Sequence, residues 1–362
     1  MENEEVSEVL INGPNRIYFE KGGRLTLSEK TFESNASLNA AVNNIAEFVN
    51  RRVDLDNHSM DARLPDGSRV HVIISPASRG GAHVSIRKFK KSTFNLQSLI
   101  EWGSLSPMAA EFCEFCVILH KNTIISGGTG TGKTSMLNAL STAIPEHERI
   151  IVIEDSSELQ LNQPHTVYLE AQPAQPNGRG AVSIRDLFVD SLRMRPDRIV
   201  MGEVRRGEAL DMIQSMISGH AGSLTTVHAN NPLDSLIRLE TLCLMAGMDM
   251  PVYVVRRQVA SAVNIVLQLS RLDDGSRRVI TIAEILGMDE KQSYIAKPIF
   301  QFQSRGRDEE NRIVGSLEWT GYKPSFWKEV EEYGFQDKVN LTKVFYEAED
   351  SAKGANEDGD SE

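Results

Sequence analysis

The stretch Gly127-Gly128-Thr129-Gly130-Thr131-Gly132-Lys133-Thr134 has the residue types and spacing to grip a phosphate group. It fits the pattern G-x-x-x-x-G-K-[ST]. The four glycines permit positive φ and a close approach of backbone to an anion. Successive N–H groups then form a nest at a helix N-terminus, where the dipole favours negative charge. Lys133 can reach the outer phosphates, and the Thr134 hydroxyl can ligate Mg²⁺. Ser135 follows in the same turn. A triphosphate also needs carboxylates to hold the metal and prepare water, and positive charge for the transition state. Glu154 and Glu203 each follow an apolar run, Ile150-Ile151-Val152-Ile153 and Ile199-Val200-Met201-Gly202. Strand C-termini are where ligands bind in an open parallel sheet. His228 reads as a sensor of the γ-phosphate. His220 is weighed between a structural and a functional role. Neither histidine has the neighbours of a zinc site. The arginine candidates are Arg87, Arg205 and Arg195 in that order, with Arg193 and Arg206 behind them.

Elements on either side must present this loop. The apolar residues 117–119 through 124–125 read as one buried strand. Residues 135–144 read as a helix, with Met136, Leu137, Leu140, Ala143 and Ile144 on one face and Pro145 as its stop. Beyond it, strand-like runs at 149–153, 198–201, 223–227 and 265–269 alternate with helix-like segments. These are 183–194, opened by a Ser183/Asp186 capping pair, then 207–218, 232–246 and 251–262. Such alternation implies a mostly parallel sheet covered by helices. Residues 277–320 alternate again and suggest antiparallel strands at the sheet edge. Before residue 90 the pattern differs. A hairpin falls within 9–27, a helix at 36–50, and strands at 68–75 and 82–88, together a small α+β domain. The expected organisation is therefore residues 1–8 as an acidic disordered start, 9–90 as the α+β domain, 91–107 as linker, 108–345 as the α/β domain and 346–362 as an acidic disordered tail. Residues 172–180 read as a surface loop.

The chain has 362 residues, 40% hydrophobic and 25% charged, the balance of a globular protein with a sizeable core. Its net charge of −11 is concentrated at the ends. The near-neutral body between them lacks the electrostatic footprint of a nucleic-acid-binding protein. The acidic, polar start is unlike a secretory signal. No run approaches the ~18 apolar residues of a membrane span. The odd cysteine count suggests a reducing compartment. Cys113 and Cys116 read as buried thiols on a helix face, because no second ligand pair accompanies them.

Four blocks together resemble the ATPases of the type II/type IV secretion superfamily. They are the phosphate loop, Ile153-Glu154-Asp155-Ser156-Ser157-Glu158-Leu159, Arg195-Pro196-Asp197-Arg198-Ile199-Val200-Met201-Gly202-Glu203-Val204-Arg205, and Gly219-His220-Ala221-Gly222-Ser223 through Thr226-Val227-His228-Ala229-Asn230. The likeness runs from about residue 6 to 345. Within the superfamily the chain is most similar to the CpaF/TadA branch, which powers tight-adherence (Flp-type) pili. Asn12-Gly13-Pro14, residues 61–69, Ser85-Ile86-Arg87-Lys88-Phe89, Gly178-Arg179-Gly180 and residues 192–196 carry that finer likeness. The resemblance implies a RecA-like P-loop ATPase domain behind a PAS-like α+β domain, a homo-hexamer, and ATP with Mg²⁺ as cofactors. It implies Glu154 as the water-activating residue, Glu203 near Mg²⁺, and Arg87 approaching the phosphates. It also implies inner-membrane platform proteins as partners of a cytoplasmic chain that is peripheral to the membrane through them and does not insert. Alternatives are a VirB11/TrbB-like ATPase of conjugation or type IV secretion, and a nucleotide-gated scaffold without turnover. A GTPase is disfavoured by the lack of an Asn-Lys-x-Asp motif.

Overall fold

A computed structural model describes residues 3, 5–22, 24–88, 95–174 and 178–334. The tail 346–362 lies outside them, as do Lys90 and Lys91. The chain forms two compact units, Met1–Ser92 with Gln172–Ala181, and Thr93–Ala171 with Val182–Glu362.

The first unit contains β1 (Val6–Asn12), β2 (Ile17–Lys21), β3 (Arg24–Leu27), α1 (Asn35–Phe48), β4 (Ser59–Arg63), β5 (Arg69–Ile73) and β6 (His83–Arg87). The strands form one antiparallel sheet in the order β3-β2-β1-β6-β5-β4. Alternation along β5 and β6 buries Val70, Val72, Val84 and Ile86 on one face. Leu38, Val42 and Ala46 of α1 join them in a single core. A Ser34/Ser37 capping box starts that helix. The sequence reading does not include β4, an edge strand of five residues in which Met60 alone is fully buried.

The second unit runs α2 (Leu96–Glu101), α3 (Pro107–Ile118), β7 (Thr123–Gly127), α4 (Lys133–Ser141), β8 (Ile150–Glu154), β9 (Thr166–Glu170), α5 (Ile184–Ser191), β10 (Arg198–Met201), α6 (Glu208–Ile217), β11 (Leu224–Val227), α7 (Pro232–Leu244), α8 (Val252–Ala262), β12 (Ile265–Arg271), β13 (Arg277–Met288), β14 (Tyr294–Arg307) and β15 (Ile313–Trp319). Its nine-stranded sheet has the order β15-β14-β13-β12-β7-β11-β10-β8-β9. The strands from β12 to β9 are parallel, and β13, β14 and β15 continue the sheet antiparallel from β12. The expected α/β class with a mostly parallel sheet is present, as are the antiparallel edge strands. Helices α3 and α4 cover one face through Phe112, Phe115, Met136 and Leu140. Helices α5 to α8 cover the other through Phe188, Ile213, Leu239 and Val259. Among the described residues no helix is long and apolar enough to cross a membrane.

Four details correct the sequence reading. β1 begins at Val6, inside the stretch 1–8 read as a disordered start. Residues 117 and 118 end α3, and Leu119 is its cap. The chain turns at His120, with φ 53, before β7 begins. A short apolar run cannot by itself tell a buried helix end from a strand. β9 was not foreseen, because its five residues include none that is fully buried. The stretch read as linker carries α2, capped by Asn95, and the Ser106 cap of α3. Cys113, Cys116 and Cys243 are buried free thiols. Burial pushes Cys113 and Cys243 up to about 12.

The N-terminal end of the parallel strands is closed by a buried charge cluster. Arg198, the first residue of β10, is 0% exposed and pairs with Glu148 through Nε. Its Nη2 donates to Val117 O at 2.7 Å and its Nη1 to Gly222 O at 3.2 Å. Gly222 has to be glycine, because a Cβ there would collide with the guanidinium. His120 Nε2 lies 3.3 Å from Glu148 Oε1. Burial works against the Glu148 charge, yet hydrogen bonds from His120 and Arg198 outweigh it and hold the carboxyl down at about 2.

Candidate functional site

At the other end of the same strands, β7 runs fully buried into the glycine loop. The glycines divide their work. Gly130 and Gly132 take φ 72 and 96. Gly127 is needed for close approach, since a Cβ there would lie 2.6 Å from Thr131 Oγ1 and 3.0 Å from Leu269 O. Gly128 has neither a positive φ nor a close protein neighbour at the position of a Cβ. Thr131 Oγ1 donates to Gly128 O at 2.9 Å and braces the loop. Thr129 and Gly130 are exposed at its tip. Gly132 is the N-cap of α4, which has no side-chain cap and no acidic residue in its first turn. By contrast α1, α3, α5 and α7 are capped by Ser34, Ser106, Ser183 and Asn231. α6 and α8 also lack a side-chain cap, but only α4 follows the glycine loop, and among the described residues its first N–H groups have no side-chain acceptor, which suits an anion.

Lys133 opens α4 and is only 8% exposed. Its Nζ donates to Gly128 O at 2.9 Å and lies 3.2 Å from His228 Nδ1. Burial pushes its pKa below the ordinary lysine value, while the Glu203 charge opposes the shift. His228 directly follows β11, and its Nε2 is 2.9 Å from Glu203 Oε1. Burial, and then the charge of Lys133, lower the His228 pKa from its ordinary value of 6.5. Glu203 lies just past the end of β10, where Arg205 Nη2 donates to its Oε2 at 2.8 Å. Arg205 Nη1 reaches Asp155 at 3.1 Å. Lys133, His228, Glu203, Arg205 and Asp155 therefore form one line of touching charged and polar groups across the tips of four adjacent strands, β7, β11, β10 and β8. Thr134 and Ser135 are half-buried in the first turn of α4.

Glu154 ends β8 and is 4% exposed. Its carboxylate accepts from Glu158 N at 2.9 Å and Leu159 N at 3.1 Å, so it shapes the turn after the strand. Glu208 escaped the sequence reading. Its Oε1 accepts from Arg205 N at 2.7 Å and Arg206 N at 2.8 Å, which fixes the turn bearing Glu203 and Arg205. Its position in the first helical turn after Gly207 was the available signal. Thr226 Oγ1 donates to Gly202 O at 2.8 Å and ties β11 to the end of β10.

Three further candidates lie at the far end of the sheet. Arg193 and Arg195 precede β10, and His220 precedes β11, so all three belong to the sheet end opposite the glycine loop. Nδ1 of His220 is buried without a hydrogen-bond partner among the described residues. Arg87 ends β6 of the first unit, opposite Glu8 and Arg69 in the ladder.

The Type II/IV secretion system protein family matches residues 1–320 of the chain. A putative conjugal transfer protein of Mycobacterium tuberculosis (strain CDC 1551 / Oshkosh) is 34% identical over 283 residues, covering 76% of this chain and 80% of that protein. The type IV secretion system protein PtlH of Bordetella pertussis (strain Tohama I) is 31% identical over 306 residues, covering 77% of this chain and 89% of that protein. Among solved structures, the pilus retraction motor PilT with bound ADP is similar in fold, with a TM-score of 0.55 at 16% identity over 94% of this chain and 86% of that one. This chain belongs to the type II/IV secretion system protein family, a family of secretion ATPases.

Proposed function

We propose that the chain binds ATP with Mg²⁺ at residues 127–135 and hydrolyses it to drive a secretion or pilus-assembly machine. One observation carries the reading. An uncapped helix N-terminus, with Lys133 in its first turn, faces a linked row of His228, Glu203 and Arg205 on adjacent strand tips. The N–H groups of the loop hold the inner phosphates, and Lys133 leaves Gly128 O for the outer ones. The Thr134 hydroxyl and the Glu203 carboxylate are hard oxygen donors and suit Mg²⁺, which keeps much of its own water. When bound, the ion neutralises charge on the phosphate oxygens. His228 lies between Lys133 and Glu203, where it responds to the outermost phosphate. Arg205 supplies positive charge from the β10 turn. Glu154 is proposed to prepare the attacking water, in which case it exchanges at least one of its main-chain hydrogen bonds. The role of Arg87 rests on the family pattern.

Steady-state phosphate release tests the proposal. The parent chain releases phosphate from ATP, and Glu203→Gln removes most of the activity. No release by the parent, with Glu203→Gln indistinguishable from it, selects the nucleotide-gated scaffold instead. The machine served is proposed from likeness. The finer pattern favours a tight-adherence pilus, built by a homo-hexamer on inner-membrane platform proteins. A conjugation or type IV secretion machine is supported as well, by the names of the Mycobacterium and Bordetella relatives.

A further inference from the structure

The β12–β13 hairpin carries two arginines at its tip. Arg271 closes β12 and Arg277 opens β13, and the two are direct partners in the antiparallel ladder. Direct partners share a face of the sheet, where like charges repel. Leu269 and Val279, the pair two residues further in, belong to the core under α3 and α4, so both arginines lie on the α4 side. Both are exposed, and among the described residues neither guanidinium has an ion pair or hydrogen bond. Arg278 shows the contrast. It donates to Gly103 O at 3.0 Å and Ile313 O at 3.1 Å and lies over the Phe302 ring.

The hairpin tip adjoins the glycine loop. β12 pairs with β7 so that Leu269 is opposite Gly127, and Arg271 therefore extends past the point where β7 gives way to the loop. Arg277 Cδ lies 3.6 Å from where a Cβ on Gly132 would be, and Gly132 is the N-cap of α4. The tip is also braced. Asp274 accepts from Ser276 N at 2.9 Å and Ile313 N at 2.7 Å, and Ser104 Oγ donates to Arg277 O at 2.7 Å. Two unneutralised arginines are thus mounted on a fixed turn beside an uncapped helix N-terminus.

We propose that Arg277, with Arg271 behind it, contacts the α/β-phosphate side of the bound nucleotide. The inference rests on the nucleotide reading above and adds a second cationic wall to that site. A guanidinium matches phosphate geometry and is relieved of the Arg271–Arg277 repulsion when an anion enters. The contact is made equally to ATP, ADP and the transition state, so it acts on binding more than on turnover.

Titration with a fluorescent ADP analogue, together with phosphate-release kinetics, tests this on the full chain. Arg277→Gln weakens ADP binding about tenfold and raises KM for ATP more than it lowers kcat. Arg271→Gln acts in the same direction but less, and Arg277→Lys recovers part of the loss. Unchanged ADP affinity in Arg277→Gln, or a fall in kcat at constant KM, overturns the inference. Lys133→Ala separates the two levels. If it abolishes binding while Arg277→Gln has no effect, only the arginine inference fails. If Lys133→Ala also binds normally, the nucleotide site itself fails.

Discussion

The nine-stranded sheet carries a charge cluster at each end, and the two are built differently. At the N-terminal end, Arg198 is fully buried and its guanidinium is shared among Glu148, Val117 O and Gly222 O. At the C-terminal end, Lys133 is buried but rests on a main-chain carbonyl and a neutral-leaning histidine, while the Arg205 and His228 side chains are 56% and 43% exposed. The first arrangement satisfies its charges internally. The second leaves them half-open beside unpaired helix N–H groups. A buried ion pair of the first kind fixes geometry. A half-open row with depressed Lys and His pKa values is the arrangement expected where a ligand is to be bound.

The sharpest way to break this comparison is to remove one charge from each end. Arg198→Met leaves the buried Glu148 with only the half-exposed His120 as partner, and should lower the unfolding free energy by about 3 kcal/mol in urea titrations. Loss of well under 1 kcal/mol there would show that the base cluster is not structural. Glu203→Gln should do the reverse. Hydrolysis falls by about 100- to 1000-fold, the range for loss of one preorganised electrostatic group, while the urea midpoint stays close to that of the parent. A large stability loss with Glu203→Gln would erase the contrast between the two ends.

Acid sharpens the comparison further. The Glu148 carboxyl sits at about 2 in the fold against an ordinary 4.5. Because the folded value is depressed, its contribution is fully present above about pH 4.5 and is lost as pH falls toward 2. The stability gap between the parent and Glu148→Gln should therefore narrow across that window. A gap that is constant with pH would contradict the assigned pairing. The smallest effect is expected at the rim. Asp155 and Arg205 are both mostly exposed, so Asp155→Asn should change stability by no more than about 0.5 kcal/mol.

The two ends were not equally legible in the sequence. The glycine loop, Lys133, Glu203 and His228 announce themselves, because a phosphate nest needs particular residues at fixed spacing and strand tips follow apolar runs. What Glu154 touches did not show. Its inward turn depends on the main-chain N–H groups of Glu158 and Leu159, which no side-chain pattern reveals. The burial of Arg198 was equally hidden, since its partners Glu148, Val117 and Gly222 come from separate parts of the chain. His220 and His228 look alike in sequence, yet they stand at opposite ends of one strand, and only sheet direction tells them apart. Arg277 reads as an ordinary hairpin charge until β12 is seen beside β7.

The most direct test compares ATP binding and steady-state phosphate release by the parent and Lys133→Ala, with unfolding midpoints measured alongside. The account predicts that the parent binds and cleaves ATP, and that the variant does neither while unfolding at nearly the same denaturant concentration. Equal binding and cleavage by the two proteins would contradict it.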